Sequence, residues 1–201
     1  MRSLIYLIAV SLDGYIADAA GEWSSFDSSP ELLADLFTEY PETCPVQARE
    51  ALGVTAPPRH FDTVIMGART HRPALDAGLT SAYPHLRQYV VTHRTDLPND
   101  PTLRTTTDPV GLVRELKSQP GKNLWLCGGG DLAGQLVDEI DEFHLKVNPV
   151  LLGSGTPLLA GVNARVGVRE TARQRLGERV DLVTLVSERP AGPHAGGSHA
   201  P

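Results

Sequence analysis

A run of three glycines constrains this chain most, because it lies between an apolar segment and an amphipathic one. Leu124–Cys127 has the pattern of a buried strand, Gly128–Gly130 follow at once, and a helical pattern runs over Leu132–Ile140. Glycines carry no side chain, so backbone N–H groups in this turn can approach a ligand closely. The N-terminus of the following helix adds partial positive charge. The segment therefore predicts a strand–turn–helix unit that binds phosphate or pyrophosphate.

The composition is that of a globular protein with one domain. Of 201 residues, 41 % are hydrophobic and 21 % are charged, and the net charge is −6. An acidic chain without a basic stripe argues against nucleic acid or an anionic membrane as a partner. The apolar segment Leu4–Val10 is too short to span a bilayer. Two isolated cysteines form no disulfide framework, and the scattered histidines lack the spacing of metal ligands. We expect a cytoplasmic protein with no metal and no membrane contact.

Apolar, strand-like segments alternate with helical patterns along the chain. This alternation predicts an α/β fold, a three-layer αβα sandwich with a mixed, mostly parallel central sheet that ends in antiparallel strands. We expect one domain over residues 1–188 and a disordered tail at 189–201, which is rich in Gly, Pro, Ala, His and Ser. The predicted strands are Leu4–Val10, Thr63–Met66, His85–Thr92, Leu124–Cys127, Phe143–Val147, Arg165–Glu170 and Val180–Val186. Four helices are predicted. One begins after Ser28 or Ser29, a short one lies near Val46–Leu52, and the other two cover Val110–Leu116 and Leu132–Ile140.

Two further strand ends carry groups suited to phosphate. The strand Thr63–Met66 stops at Gly67 and is followed by Arg69, Thr70 and Arg72. The next strand is followed by Thr92 and Arg94. Arginine offers a planar fork of donors to phosphate oxygens, and threonine offers a neutral hydroxyl. Each junction alone is also compatible with a ligand-free turn or a solvated helix start. Three such junctions in one sheet favour an extended polyphosphate ligand.

The glycine run matches the spacing of the dinucleotide fingerprint but lacks its context. Gly128-x-Gly130-x-x-Ala133 has that spacing, yet the fingerprint needs an acidic residue about 20 residues further on. Val147–Val150, the corresponding region, has no carboxylate. The pattern therefore gives only weak support to a Rossmann domain. It supports a P-loop still less, because no Gly-Lys-Ser/Thr follows the glycines.

Taken in order, the motifs resemble one superfamily, which comprises the dihydrofolate reductases and the RibD C-terminal-like reductase domain of bacterial riboflavin biosynthesis. The resemblance covers roughly residues 3–186, and its last two motifs are similar to the riboflavin-type reductases in particular. The motifs are Ser11–Ala17, Ile65–Thr70, Gly128–Gly130, Ile140–Leu145 and Asn148–Leu158.

The resemblance implies that NADPH lies across the strand ends. It assigns the backbone of Ala9 and Ile16 to the nicotinamide carboxamide, and Thr92 with Arg94 to the adenosine end. Gly67, Arg69 and Thr70 would meet the pyrophosphate or the 2′-phosphate, and Gly128, Gly129 and Gly130 with Leu132 would close on the pyrophosphate. The guanidinium groups of Arg69, Arg72 and Arg94 favour NADPH over NADH. The loop Asp13–Trp23 is expected to act as a lid, with Gly14 and Gly21 as its flexible points.

The substrate side of the resemblance departs from the family pattern. Riboflavin-type reductases place a glutamate where this chain has Cys127, and an aspartate where it has Ala74, with Asp76 two residues later. Folate reductases use a carboxylate early in the helix after the mobile loop. The candidates here are Asp27, Glu31 and Asp35, and Asp27 is the predicted catalytic residue because its spacing from Trp23 fits best.

The leading hypothesis is therefore an NADPH-dependent reductase that transfers hydride to a small heterocyclic substrate. The first expectation is reduction of 5-amino-6-(5-phosphoribosylamino)uracil, as in riboflavin biosynthesis. One alternative is dihydrofolate reductase activity. Another is a catalytically silent NADP(H)-binding sensor, which the missing family carboxylates motivate. The riboflavin-type likeness and the strand-rich C-terminal third also predict a homodimer.

Overall fold

The strands and helices follow each other in the predicted alternating order. A computed structural model describes residues 1–94 and 100–188. The strands are β1 (Leu4–Ser11), β2 (Tyr15–Ala17), β3 (Phe61–Gly67), β4 (Arg87–Val91), β5 (Leu103–Thr106), β6 (Asn123–Gly128), β7 (Glu142–Asn148), β8 (Thr156–Pro157), β9 (Gly167–Leu176) and β10 (Val180–Glu188). The α-helices are α1 (Pro30–Glu39), α2 (Val46–Arg49), α3 (Ala68–Asp76), α4 (Pro109–Ser118) and α5 (Gly130–Gln135), and a 3₁₀ helix covers Pro41–Thr43.

One eight-stranded sheet forms the centre, in the order β5-β4-β3-β6-β1-β7-β10-β9. The first six strands in this order run parallel to one another. β10 and β9 then add an antiparallel hairpin at one edge of the sheet. A separate two-stranded ribbon joins β2 to β8. Parallel strands end at the same edge, so the carboxyl ends of β1, β3, β4, β6 and β7 lie together.

The side chains of the sheet alternate between two apolar cores, which makes three layers. On the α1 face, Ile5, Leu7 and Trp125 pack with Leu32 and Leu36 of α1. Helix α3 lies on this face too, since Ala68 packs against the same core. On the α5 face, Leu4, Tyr6 and Leu126 pack with residues of α4 and α5, namely Val113, Leu116, Leu132 and Ala133. The three-layer sandwich with a mixed, mostly parallel sheet is confirmed.

Several element boundaries differ from the sequence predictions. Helix α5 ends at Gln135 rather than Ile140, although Leu136 and Ile140 are buried as the pattern required. Tight turns continue to Ile140, whose N–H bonds to the Leu136 carbonyl. Strand β9 is longer than predicted because it pairs with β10 along its whole length, so its exposed polar residues give no periodic apolar signal.

Strand β5 and helix α3 were missed because their sequences are polar. β5 has the sequence Leu-Arg-Thr-Thr, and α3 contains Pro73 in its interior. The predicted tail at 189–201 lies outside the described residues, so its disorder stays a prediction. None of the helices within the described ranges is long and apolar enough to cross a membrane.

Candidate functional site

The site forms where neighbouring strands send the chain to opposite faces of the sheet. β3 leads into α3 on the α1 face, whereas its neighbour β6 leads into α5 on the other face. A crevice opens at such a reversal because the two helices diverge, and ligands of open α/β sheets bind there. Gly67 ends β3 at this point, and Gly128 ends β6. The two glycine junctions singled out in the sequence are therefore adjacent in space.

The backbones of these junctions lie close together, with room above them. A Cβ atom placed on Gly67 would lie 3.9 Å from the Gly128 carbonyl oxygen and from the Gly129 nitrogen. Thr70 Oγ1 would be 3.8 Å from a Cβ on either Gly128 or Gly129, and Ile16 Cδ1 would be 4.0 Å from the one on Gly129. The Gly128–Gly129 peptide bond is cis. Gly67, Thr70 and Ile16 thus surround the glycine turn. These three residues and the turn are called the cradle below.

The two helices that start in this cradle have no side-chain caps. α3 begins after Gly67 and α5 after Gly129, and neither N-cap glycine has a side chain that could accept a hydrogen bond from the first turn. By contrast, the side chains of Ser29 and Asp108 cap α1 and α4. The first-turn N–H groups of a helix need an acceptor. Those of α3 and α5 are left to a ligand or to water, which suits a diphosphate.

Gly130 and Leu132 support the turn rather than line the crevice with side chains. A Cβ on Gly130 would lie 2.1 Å from the Pro157 carbonyl oxygen, so only glycine allows β8 to pack against α5. The Ala160 N–H also donates to the Gly130 carbonyl at 3.0 Å. The side chain of Leu132 is buried in the core on the α5 face. Only the backbone of these two residues can therefore face a cofactor.

The arginine predicted to bind phosphate is paired with a carboxylate. Arg69 Nη2 donates to Asp131 Oδ2, and the two side chains are 83 % and 63 % exposed. Arg72 Nε donates to Asp76 Oδ1 at 2.7 Å on the same helix. A phosphate that recruits Arg69 must therefore displace the Asp131 carboxylate.

Thr92 and Arg94 follow the end of β4, beside Gly67. Val91 pairs with Gly67 in the parallel register, so the segment after β4 continues along the same edge. The Arg94 N–H donates to Thr92 Oγ1 at 3.0 Å, and the Thr92 N–H donates to the Thr106 carbonyl at 2.9 Å. These residues extend the cradle toward β5, away from β7.

The loop predicted to be a lid is held by specific contacts. Asp13 accepts hydrogen bonds from Ser11 Oγ at 2.6 Å and from the Gly153 N–H at 2.7 Å, and these bonds lower the pKa of its carboxyl. The β2–β8 ribbon then fixes Ile16 over the glycine turn. Trp23, further along, is exposed. The first half of the loop is thus a fixed wall of the crevice.

A cavity of about 360 Å³ lies at the carboxyl end of β7. Asp27 and Glu31 line it, together with Ser25, Asn148 and Arg179. Asp27 precedes α1 rather than lying on it: its N–H donates to Asn148 Oδ1 at 2.9 Å, and its carboxylate accepts from the Ser29 N–H at 2.8 Å. The third candidate, Asp35, accepts from the Gly177 N–H at 2.8 Å and fixes the β9–β10 turn. Asp35 is therefore structural.

Sequence analysis missed two residues beside Cys127. Lys146 of β7 and Tyr83, which precedes β4, each interact electrostatically with the Cys127 thiol. Burial raises the pKa of Cys127 to about 12 and lowers that of Lys146. The alternation in Phe143–Val147 predicted a strand with one wetter face. In the structure that face carries His144 and Lys146 and packs beneath the α1 layer. The lysine in this strand was therefore the sequence signal that could have identified a polar group inside the fold.

Comparison with known proteins agrees with this geometry. The model of the RibD C-terminal domain matches residues 2–182. The chain belongs to the RibD C-terminal domain family. A curated relative is the uncharacterized protein YwjB of Bacillus subtilis, 28 % identical over 186 residues, which are 90 % of this chain and 96 % of that protein.

The structure is similar to solved structures of a riboflavin biosynthesis protein and of a dihydrofolate reductase. A putative riboflavin biosynthesis protein from Shewanella sp. PV-4 superposes with a TM-score of 0.62 at 22 % identity, over 93 % of this chain and 99 % of that one. Dihydrofolate reductase from Enterococcus faecalis, complexed with NADP(H), superposes with a TM-score of 0.58 at 11 % identity, over 93 % and 97 %. Both likenesses confirm the predicted dihydrofolate-reductase-like fold.

Metal ligands do not cluster in the parts of the chain that the structure describes. Residues 1–94 and 100–188 contain no group of three or more His, Cys, Asp or Glu side chains positioned to hold an ion.

Proposed function

We propose that this protein is an NADPH-dependent reductase of a small heterocyclic substrate, most closely of the 5-amino-6-(5-phosphoribosylamino)uracil reductase type. One observation carries the proposal: two uncapped helix N-termini meet at the strand-order reversal, with glycine backbone and a threonine hydroxyl between them. Membership of the RibD C-terminal domain family supports reductase chemistry.

The residues present fit the diphosphate of a dinucleotide. The open N–H groups after Gly67 and Gly129 supply donors, and the Thr70 hydroxyl lies between them. Arg69 adds a guanidinium once it leaves Asp131. Ala9, near the end of β1, offers its backbone to the carboxamide, with Ile16 opposite. When bound, NADPH supplies a hydride.

The protein's own contribution to the reaction is positioning and proton supply. The cavity beside β7 has the volume of a small-ligand site. Asp27 lines it with a half-buried carboxylate, and we propose that this group binds the substrate or relays a proton to it. Holding the reacting carbon close to the bound cofactor is the main catalytic requirement.

Calorimetry with NADPH and NADH tests the cofactor assignment. We expect saturable binding with NADPH preferred, and a loss of about tenfold in NADPH affinity for Thr70→Val, which removes the central hydroxyl. Thr38→Val is the matched control, because Thr38 is exposed on α1 and its hydroxyl donates only to the Ala34 carbonyl. No heat and no saturable binding of either nucleotide would refute the proposal.

Turnover assays separate the candidate activities. NADPH oxidation is followed with the ribosylaminopyrimidine phosphate and with dihydrofolate as substrates. Turnover of the former supports the riboflavin-type assignment, and turnover of dihydrofolate alone supports folate reduction. Tight NADPH binding without oxidation by a panel of carbonyl and imine compounds identifies a sensor. Asp27→Asn then reports the role of the carboxylate, with an expected loss of 10²–10⁴-fold in kcat if it transfers the proton.

A further inference from the structure

Lys146 is a half-buried cation in the sheet, on the face that α1 covers. Its register partners are Ala9 on β1 and Leu182 on β10, so its side chain leaves the sheet on the same side as theirs. Leu182 belongs to the core on the α1 face. Within residues 1–94 and 100–188, no acceptor is found for the Lys146 ammonium. A lysine in such surroundings is normally paired, because burying a lone charge is costly.

The Cys127 thiol interacts electrostatically with Lys146 and is neutral near pH 7. Cys127 lies on β6, two strands away, on the same side of the sheet, where Leu7 and Ala9 of β1 lie between the two strands. The Tyr83 hydroxyl lies beside the Cys127 thiol, and the Tyr83 ring packs edge-on against Trp125 at 5.0 Å. Burial keeps both protonated, since it raises the pKa of each. His144, two residues earlier on β7, is neutral near pH 7 because burial lowers its pKa.

This group of side chains adjoins the proposed reaction centre. Cys127 immediately precedes the Gly128 turn, and Lys146 is two residues from the carboxyl end of β7. Asn148, the next residue on the same face of β7, lines the cavity of about 360 Å³. An acceptor atom on a ligand in this cavity would give the ammonium the partner that it lacks within the protein.

We propose that Lys146 is a substrate-contacting residue whose ammonium binds a carbonyl oxygen or an imine nitrogen of the heterocycle to be reduced. The inference rests on the proposed function and deepens it by naming the substrate class. A ring edge that presents acceptors, such as that of a pyrimidinedione, matches the Lys146 ammonium, and the Asp27 and Glu31 carboxylates that line the cavity remain available to the N–H groups of the same ring. In a 2,4-diaminopyrimidine, amino groups replace the carbonyl oxygens beside the ring nitrogen, so their N–H donors oppose the ammonium.

Such a contact also completes the chemistry of reduction. As hydride adds to the electrophilic carbon, the electron pair of the C=O or C=N bond moves to the heteroatom. The Lys146 ammonium transfers a proton to that atom and becomes a neutral amine, which then takes a proton from water. The lowered pKa of the lysine makes this transfer easier than from an exposed ammonium.

Calorimetry on the full chain tests the contact. The probes are 6-aminouracil and 2,4-diaminopyrimidine, each titrated with and without saturating NADP⁺. We expect 6-aminouracil to bind at least tenfold more tightly than the diaminopyrimidine, and Lys146→Met to lose at least tenfold in 6-aminouracil affinity. Lys146→Arg should retain part of that affinity. Lys122→Met, a change at an exposed lysine far from the crevice, should retain all of it.

A purely structural role for Lys146 would show as a loss of stability in Lys146→Met. Under the proposal, removing an unpaired half-buried charge should instead leave the melting temperature of Lys146→Met unchanged or higher, and NADP⁺ affinity unchanged. Carbon-13 NMR of the Lys146 Cε provides a readout that needs no variant to fold. Its pKa should lie below that of a free lysine and rise when 6-aminouracil binds, because the acceptor stabilises the ammonium.

The outcomes separate this inference from the proposed function. Equal affinity of wild type and Lys146→Met for 6-aminouracil, an unshifted lysine pKa on adding the probe, or no binding of 6-aminouracil to the NADP⁺-saturated protein would each overturn the inference. Absence of NADP⁺ binding would overturn the proposed function instead. Lys146-dependent binding of 6-aminouracil without NADP⁺ would preserve the inference in that case.

Discussion

Replacing Asp131 with asparagine should strengthen NADPH binding. Asp131 is the second residue of α5, directly after the glycine turn, and its carboxylate holds Arg69 of α3. A diphosphate in the cradle faces this carboxylate as a like charge and competes with it for the guanidinium. The substitution Asp131→Asn keeps the size of the side chain, removes the charge and releases Arg69. Both effects favour an anionic ligand.

The magnitude follows from the exposure of the pair. Both side chains are more than half exposed, so their attraction is that of a surface ion pair, about 0.2–1 kcal/mol. Relief of repulsion between the carboxylate and the diphosphate is similarly screened, and adds an amount of the same order. A total of about 0.4–2 kcal/mol corresponds to binding that is roughly 2–30-fold tighter. In about 1 M salt the Debye length is near 3 Å, and most of the gain should disappear.

Calorimetry of NADPH binding at low and high salt measures this effect. Glu170→Gln is the control, since it removes the same charge from an exposed ion pair with Arg173 on β9, far from the crevice. We expect no change in NADPH affinity for that variant. Unchanged or weaker NADPH binding by Asp131→Asn, in a protein that melts normally, would refute the reasoning.

A double-mutant cycle separates the two effects. If Asp131 acts by occupying Arg69, the gain from Asp131→Asn shrinks in an Arg69→Ala background. If it acts by repelling phosphate directly, the gain persists there. Arg69→Ala alone should weaken NADPH binding, because the guanidinium can no longer reach the phosphate.

Further predictions concern stability, reactivity and assembly. Buried Glu42 accepts hydrogen bonds from the backbone N–H groups of Arg59, His60 and Phe61. Glu42→Gln should therefore lower the free energy of unfolding, measured in urea, by about 2–3 kcal/mol, whereas Glu50→Gln at an exposed site should remain near wild type. Gly130→Ala should lower the melting temperature because its Cβ would meet the Pro157 carbonyl at 2.1 Å, whereas Gly67→Ala, with nothing nearer than 3.9 Å, should not. With a pKa of about 12, Cys127 should react with a thiol reagent at pH 8 only after denaturation, and rapid reaction in the native state would contradict this assignment. We also propose a homodimer through the β9 edge, so light scattering should give twice the chain mass of 21.6 kDa.

The strand ends of the proposed cofactor site could be predicted from sequence because their signals are local. A glycine after an apolar strand, a hydroxyl and arginines in the next turn, and a run of glycines before a helix each identify a strand end. The register then places Gly67, Thr70 and Gly128 together, as parallel strands require. Boundaries were less predictable where pairing overrides local preference, as in β9, whose polar residues form a strand because β10 lies beside them.

The substrate side could not be predicted because its residues belong to separate elements with no shared motif. Asp27 and Asp35 look alike in sequence, yet one lines the cavity and the other fixes a distant turn. The partner of Arg69 lies 62 positions away in the chain. From the sequence, Lys146 looks like an exposed lysine of a strand. Only the structure shows that the α1 layer covers the face of β7 on which it lies.

The sequence by itself determined the layered α/β fold and the strand–glycine–helix turns for which phosphate binding is proposed, because apolar periodicity and glycine placement act over a few residues. Only the tertiary structure decided which charges are paired and which are buried without a partner. Packing brings distant side chains together, and it is their separation and exposure to water that set the strength of each charge interaction.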